Sequence, residues 1–250
     1  AAPGMPGQVL SHLLSRHSPV RLGWPMSAKD MAWVWKWWRS CKPATYALNR
    51  DRLQRLAFFS RERLHQLSAG LRLEYDRSDG FMVLLRSDKD RAMVEAGLQV
   101  LRDAGVEFKA IDAAQALLIE PALNPETVFS GAIHLPDDEV ANCRQFASLL
   151  KAQAQQLGAE FHFNTTIQGL DNAQPTSVFV AGETAARRYD AIVVCAGLAS
   201  ARMLKPLGVR IPTTAIYGYS LTAPVREPLD APRSGLMDER YKIAISRIGN

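Results

Sequence analysis

Few groups able to do chemistry stand at spacings that chemistry would use. Tyr217 and Tyr219 flank Gly218 in an alternating run, so on a strand their phenols share one face and one hydroxyl could hydrogen-bond a substrate. Two tyrosines packing a sheet face is the competing reading. Arg247 closes a second alternating run, Lys242–Arg247. Its planar fork suits a carboxylate, although a strand-end arginine also serves as a plain surface residue. His134 with Asp137-Asp138-Glu139 could form a metal or acid–base cluster. A single histidine beside loop carboxylates fits a helix-entry loop better, and no metal is expected. Cys41, Cys143 and Cys195 are far apart and lack a C-x-x-C spacing, which points to a reducing compartment. Cys195 ends an apolar run, so we expect a packed residue and not a reactive thiol.

The elements that must position these groups fall into two textures. Asp190–Gly197 is nearly all apolar, as a parallel strand buried on both faces would be. A glycine at its carboxyl end would let the backbone approach a ligand beyond the sheet. Before it come a helix from Asn142 to Gly158 with Phe146, Leu149, Leu150 and Leu157 as its stripe, a strand Glu160–Asn164, Thr165-Thr166-Ile167, and a small antiparallel excursion around Gly182. A helix carrying Met203 and Leu204 follows.

The flanks read differently. A helix capped by Ser27 runs through Trp38 and ends before Pro43, and a second runs from Tyr46 to Ser68 with Leu53, Leu56, Leu64 and Leu67 at helical spacing. Leu71–Tyr75 alternates, and Gly80–Leu85 is a buried strand. A helix spans Asp88–Asp103. Strands near Val106–Ala110 and Val128–Leu135 enclose a short helix, Ala113–Leu118, and Thr213–Ala223 is strand-like. The expected fold is α/β and α+β, with an N-terminal loop at 1–21. A mixed, largely antiparallel domain is assembled from 22–138 and 211–250, and an α/β unit occupies 139–210.

Composition excludes several classes. The net charge is +5 and the sequence pI near 9.2. The positive residues Arg50, Arg52, Arg55, Arg61 and Arg63 alternate with Asp51 and Glu62, the pattern of a solvated helix face, so no nucleic-acid partner is expected. The basic balance also admits a non-catalytic module that binds anions or membrane surfaces, which would show a contiguous basic patch. No apolar run approaches the ~20 residues of a membrane span. Trp33, Trp35, Trp37 and Trp38 cannot share one helical stripe; they pack against neighbouring helices or, with Lys36 and Arg39, anchor at a membrane interface. A cytoplasmic location, with peripheral attachment at the inner membrane face left open, follows. Ala1–Gly7 has neither the charge nor the apolar stretch of a signal peptide. The chain opens in a Pro/Gly loop and stops at Ile248-Gly249-Asn250 after a strand-like run, so we expect trimming at both ends.

Short strings in order carry a more specific resemblance: Pro3-Gly4-Met5-Pro6, the Trp-rich helix ending at Cys41, Tyr46-Ala47-Leu48-Asn49 and Arg61-Glu62-Arg63-Leu64. Glu120-Pro121-Ala122-Leu123, Pro136-Asp137-Asp138-Glu139 and Cys195-Ala196-Gly197-Leu198-Ala199-Ser200 continue it. Gly218-Tyr219-Ser220-Leu221-Thr222 and Asp238-Glu239-Arg240-Tyr241-Lys242 complete it. The chain resembles the small subunit of bacterial D-amino-acid dehydrogenases, within the D-amino-acid oxidase and sarcosine oxidase group.

The resemblance implies an FAD-binding two-dinucleotide-fold domain, partial here, beside a substrate domain. It implies oxidation of D-amino acids to 2-oxo acids and ammonia, with electrons passing to a quinone or another acceptor. An oxidase of glycine, sarcosine or a D-amino acid, using oxygen, is the nearest rival. By the same resemblance, Ile167 lays its backbone against the adenine of FAD, and Cys195, Ala196, Gly197 and Leu198 pass close to the dinucleotide. Tyr219 and Tyr217 lie near flavin and substrate; Arg247, from its planar fork, and Tyr241 are the candidates for binding the substrate. This sequence departs in lacking a G-x-G-x-x-G turn, whose helix N-terminus holds the pyrophosphate. It also has Ala141-Asn142 where Gly-Asp is usual, and Tyr217 where lysine is common. FAD binding by this chain alone is therefore expected to be weak or absent, and the chain inactive by itself.

Overall fold

The computed structural model describes residues 2–7, 9, 23 and 25–249. Of the expected N-terminal loop only residues 2–7 and 9 are described, and 5–7 and 9 are helical; the rest lies outside the described residues. Along the chain run α1 (Ala28–Ser40), α2 (Pro43–Gly70), β1 (Arg77–Leu85), α3 (Asp88–Asp103), β2 (Lys109–Ile111), α4 (Ala113–Ile119), β3 (Gly131–Ala141) and α5 (Cys143–Gln156). Then come β4 (Ile167–Leu170), β5 (Ser177–Val180), β6 (Arg187–Arg188), α6 (Ala199–Leu204), β7 (Gly235–Asp238) and β8 (Ile243–Ile245). Two compact units share them. Gln54–Gln156 and Leu221–Asn250 form one; Leu22–Leu53 and Leu157–Ser220 form the other.

The first unit is built on a five-stranded sheet of order β2-β3-β1-β7-β8. Three of its four pairings are antiparallel and β1–β7 is parallel. Alternation along β1 sends successive side chains to opposite faces. Phe81, Val83 and Leu85 join Ile133 and Leu135 under Leu98 of α3, while Met82 and Leu84 join Ala132 and Leu236 beneath Ala116 of α4, Leu123 and Phe129. Met82 and Leu85 have no exposed surface, and burying such a side chain stabilises by roughly 1.5–3 kcal/mol. Local chemistry starts the covering helices: Ser87 caps α3, and Asp112 with Gln115 forms a reciprocal capping box on α4. At the β2–β3 crossing, Gly131 (φ +149°) leaves no room for a Cβ, which would collide with the Ile111 carbonyl and the Arg91 side chain.

Glu120 closes this unit. It is fully buried, and its Oε2 accepts from the Arg233 N–H at 2.7 Å and the Ser234 N–H at 3.3 Å. Its Oε1 accepts from the Ala122 N–H at 3.4 Å. A buried carboxylate is tolerable only when its lone pairs are met. Here that need ties the turn after α4 to the segment entering β7.

The second unit holds a small antiparallel sheet, β4-β5-β6, with Ile167 opposite Val180 and Val178 opposite Arg187. It also holds α1, opened by a full capping box: Asp30 N–H donates to Ser27 Oγ at 3.2 Å, and Ser27 N–H donates to Asp30 Oδ2 at 2.9 Å.

Several expected elements differ. Asp190–Gly197 forms no strand and pairs with none among the described residues, and Val193 is 85% exposed. Apolar composition cannot make a buried strand without a ladder partner. Glu160–Asn164 and Thr213–Ala223 likewise carry no ladder. Cys195 is therefore exposed and not packed. Asp137-Asp138-Glu139 do not form a helix-entry loop; they extend β3, because β1 begins early enough for Asp79 to pair with Glu139. Leu71–Tyr75 is a turn and a short segment without a ladder leading into β1. The helices over 43–70 and 143–156 form; on the first, Leu53, Leu56 and Leu67 are exposed, whereas on the second Phe146, Leu149 and Leu150 are half-buried and Leu157 lies exposed beyond its end. On α1, Trp35 and Trp38 are exposed, Trp33 and Trp37 half-buried.

Candidate functional site

In the second unit, the turn Cys195–Leu198 leads into α6. Ala196 N–H donates to Ser200 Oγ at 3.1 Å, and the Ala199 and Ser200 amides bond back to the carbonyls of Ala196 and Gly197. Gly197 sits at φ +55°, with no other atom within 4 Å of where a Cβ would stand. The backbone at this turn is open on the Cα side of Gly197. Ile167 opens β4, half-buried against Val180. Tyr217 and Tyr219 are almost wholly exposed on a segment without a ladder, so no strand fixes their phenols to one face.

In the first unit, Tyr241 lies in the β7–β8 turn. Its N–H donates to Asp238 Oδ1 at 3.2 Å, and its ring lies 5.9 Å from the guanidinium carbons of both Arg86 and Arg240. Arg86 places Nε at 2.8 Å and Nη2 at 2.7 Å from Asp238 Oδ2. Asp238 thus locks the turn through backbone amides and one guanidinium. Arg247 gives Nε to the Gly249 carbonyl at 3.1 Å and Nη1 to the Pro228 carbonyl at 3.2 Å. Two of its nitrogens are committed to backbone, which favours the structural reading of this residue in the structure at hand.

The pair Arg86–Asp238 and the Glu120 clamp were not legible as site features, since each joins segments more than a hundred residues apart. Asp238 and Glu120 did fall within strings that carried the resemblance. Beside the Arg86–Asp238 pair a cavity of about 260 Å³ opens between β7, β8 and the loop after α4. A wider, polar cleft of about 1190 Å³ lies between α2 and the β1–β3 ribbon. In it His65 Nε2 stands 3.0 Å and Arg77 Nη1 3.5 Å from the carboxylate of Glu139. Burial holds the Asp138 carboxyl above its ordinary range, and burial with nearby Lys109 holds the His134 imidazole below its own. Among the described residues no cluster of three or more His, Cys, Asp or Glu is placed to hold a metal. Nor is any described helix long and apolar enough to cross a membrane.

Residues 14–250 match the family described as DAO, FAD dependent oxidoreductase. Over 252 residues, all of this chain, it is 35% identical to a D-amino acid dehydrogenase of Vibrio cholerae serotype O1 (strain M66-2), covering 60% of that protein. It is also 34% identical to a D-amino acid dehydrogenase of Bradyrhizobium diazoefficiens, over all of this chain and 60% of the relative. The chain thus spans about 60% of the length of the curated relatives it matches. Among solved structures, glycine oxidase from Geobacillus kaustophilus superposes with TM-score 0.54 at 21% identity, over 61% of this chain and 42% of that one. L-proline dehydrogenase from P.horikoshii gives 0.55 at 15% identity, over 74% and 52%.

Proposed function

The chain belongs to the DAO family of FAD-dependent oxidoreductases, and on that premise we propose that it is the central portion of a longer flavoenzyme that oxidatively deaminates D-amino acids. The observation that carries this is the identity of 34–35%, sustained over the whole chain, to proteins named D-amino acid dehydrogenase. In the complete enzyme, 139–210 would contribute to the flavin domain, with 22–138 and 211–250 forming the substrate domain. When bound, FAD supplies a two-electron acceptor for the substrate Cα–H.

The chain's own residues would hold and orient. Ile167 and the Cys195-Ala196-Gly197-Leu198 turn would take the adenine side by backbone contact. Tyr219, or Tyr217, would hydrogen-bond the substrate. Tyr241 and Arg247 would meet its carboxylate, with Arg247 exchanging a backbone carbonyl for it. The substrate amine loses two electrons and two protons, and water completes the conversion to 2-oxo acid and ammonia. Correct placement of Cα–H and exclusion of bulk water are the protein's share.

This chain by itself binds FAD weakly under the same reading, because no G-x-G-x-x-G helix start is present to meet the pyrophosphate. Each missing charge-assisted hydrogen bond is worth roughly 1.5–3 kcal/mol, so losing several costs orders of magnitude in affinity. Stoichiometric flavin in the purified chain would refute that. The acceptor is proposed to be a quinone or another carrier, with peripheral membrane attachment through the tryptophans of α1. The fold shared with glycine oxidase keeps the oxygen-using alternative in play. Turnover of D-alanine by the complete enzyme decides: dye or quinone reduction without hydrogen peroxide supports the dehydrogenase, and stoichiometric peroxide supports the oxidase.

A further inference from the structure

We propose that the cavity of about 260 Å³ beside β7 and β8 is the subsite that takes the side chain of the amino-acid substrate, and that it selects compact, uncharged, apolar groups. The inference rests on the amine-oxidising reading above and deepens it. Leu84, Leu123, Phe129, Leu236 and Ile245 line the cavity. Leu84 and Leu236 share one face of adjacent parallel strands, and Ile245 stands opposite Leu236 on β8.

The only charged pair facing it among the lining residues, Arg86 with Asp238, is closed on itself at 2.7 Å. A charged side chain entering would find no uncommitted countercharge in that pair, and burying it would be costly. Asp230, the remaining charged lining residue, would oppose an acidic group further. The volume lies just under the ~300–1,000 Å³ of drug-sized sites, which suits a fragment the size of an amino-acid side chain.

Two features make the cavity preformed and place it with the substrate candidates. Glu120 joins its two walls, bonding the Ala122 amide on one side and the Arg233 and Ser234 amides on the other. The β7–β8 hairpin that forms its floor also carries Tyr241, whose ring lies 5.9 Å from the Arg86 guanidinium at the rim. A substrate held at that hairpin by its carboxylate would have this cavity within reach of its side chain.

Two substitutions act on the cavity without emptying the core. Ala122→Leu narrows it from the loop, and Ile245→Ala widens it at a half-exposed position. The test has two readouts. In this chain, D-leucine should shift the methyl resonances of Leu84, Leu123, Leu236 and Ile245, and Ala122→Leu should abolish those shifts. In the complete enzyme, Ile245→Ala should raise kcat/KM for D-phenylalanine relative to D-alanine by about tenfold, and Ala122→Leu should lower that ratio by a similar factor. If the methyl resonances stay put, or the ratio is unchanged in both variants while D-alanine is still oxidised, the subsite assignment is wrong and the activity stands. If the complete enzyme oxidises no D-amino acid, the activity falls and the assignment falls with it.

Discussion

Phe81–Leu85 and Ala191–Ala196 are apolar runs of similar character, yet they meet opposite fates. The first lies between β3 and β7, and its Met82 and Leu85 lose all solvent contact. The second has no neighbour among the described residues, and its Val193 remains 85% exposed. Apolarity marks a segment as a strand in want of a ladder; the ladder itself depends on a partner elsewhere in the chain. The sheet of the first unit supplies such partners, whereas Ala191–Ala196 of the second unit has none among the described residues.

Substitutions in the two regions should therefore differ sharply in cost. Met82→Ala should destabilise the sheet unit most, by about 2–5 kcal/mol, because it leaves a cavity between β1 and α4; urea unfolding followed by near-UV signal reads this. Glu120→Ala leaves three amides without their acceptor, that of Ser234 buried and those of Ala122 and Arg233 part-buried, and should cost about 1–3 kcal/mol in the same assay, while leaving hydrogen exchange in β4–β6 unchanged. If β4–β6 loosens as much as β7, the two regions are one cooperative body and the contrast is lost.

Acidification sharpens the comparison at a smaller scale. His134 belongs to the sheet unit, and its Nδ1 is buried without a partner. Its imidazole is held below the ordinary range, first by burial and then by Lys109. A depressed folded value means the unfolded chain takes up the proton more readily. The stability contribution is fully present above the ordinary value of ~6.5 and is lost as pH falls through the folded value. His134→Leu should remove that part of the acid sensitivity of thermal unfolding of the first unit. An unchanged pH profile would mean the imidazole is hydrated. Smallest of all, Val193→Ser should change stability by less than ~0.5 kcal/mol in this chain, as an exposed site does. A cost of several kcal/mol would reveal a hidden partner.

Much of this was written locally. Ser27, Ser87 and Asp112 each start a helix through their own side chains, and α3 spans the residues its periodicity marks. Strand β1 and the β5–β6 excursion are legible for the same reason: alternation and turn residues act over a few positions. What was not legible depends on distant pairing. The extension of β3 through Asp137–Glu139 needed β1 opposite it, and Cys195 stays exposed for want of a strand beside it. Among candidate site residues, the glycine turn at 197 follows from its own backbone. The engagement of Arg247 by Pro228 and Gly249 follows from a loop no spacing could place.

The most direct test mixes the complete flavoenzyme anaerobically with D-alanine and records the flavin absorbance. The account predicts that the oxidised flavin band bleaches with D-alanine and not with L-alanine. Tyr219→Phe should slow that bleaching by roughly ten- to a hundredfold while leaving the resting spectrum unchanged. A flavin that stays oxidised with every D-amino acid tried would contradict the proposed function outright.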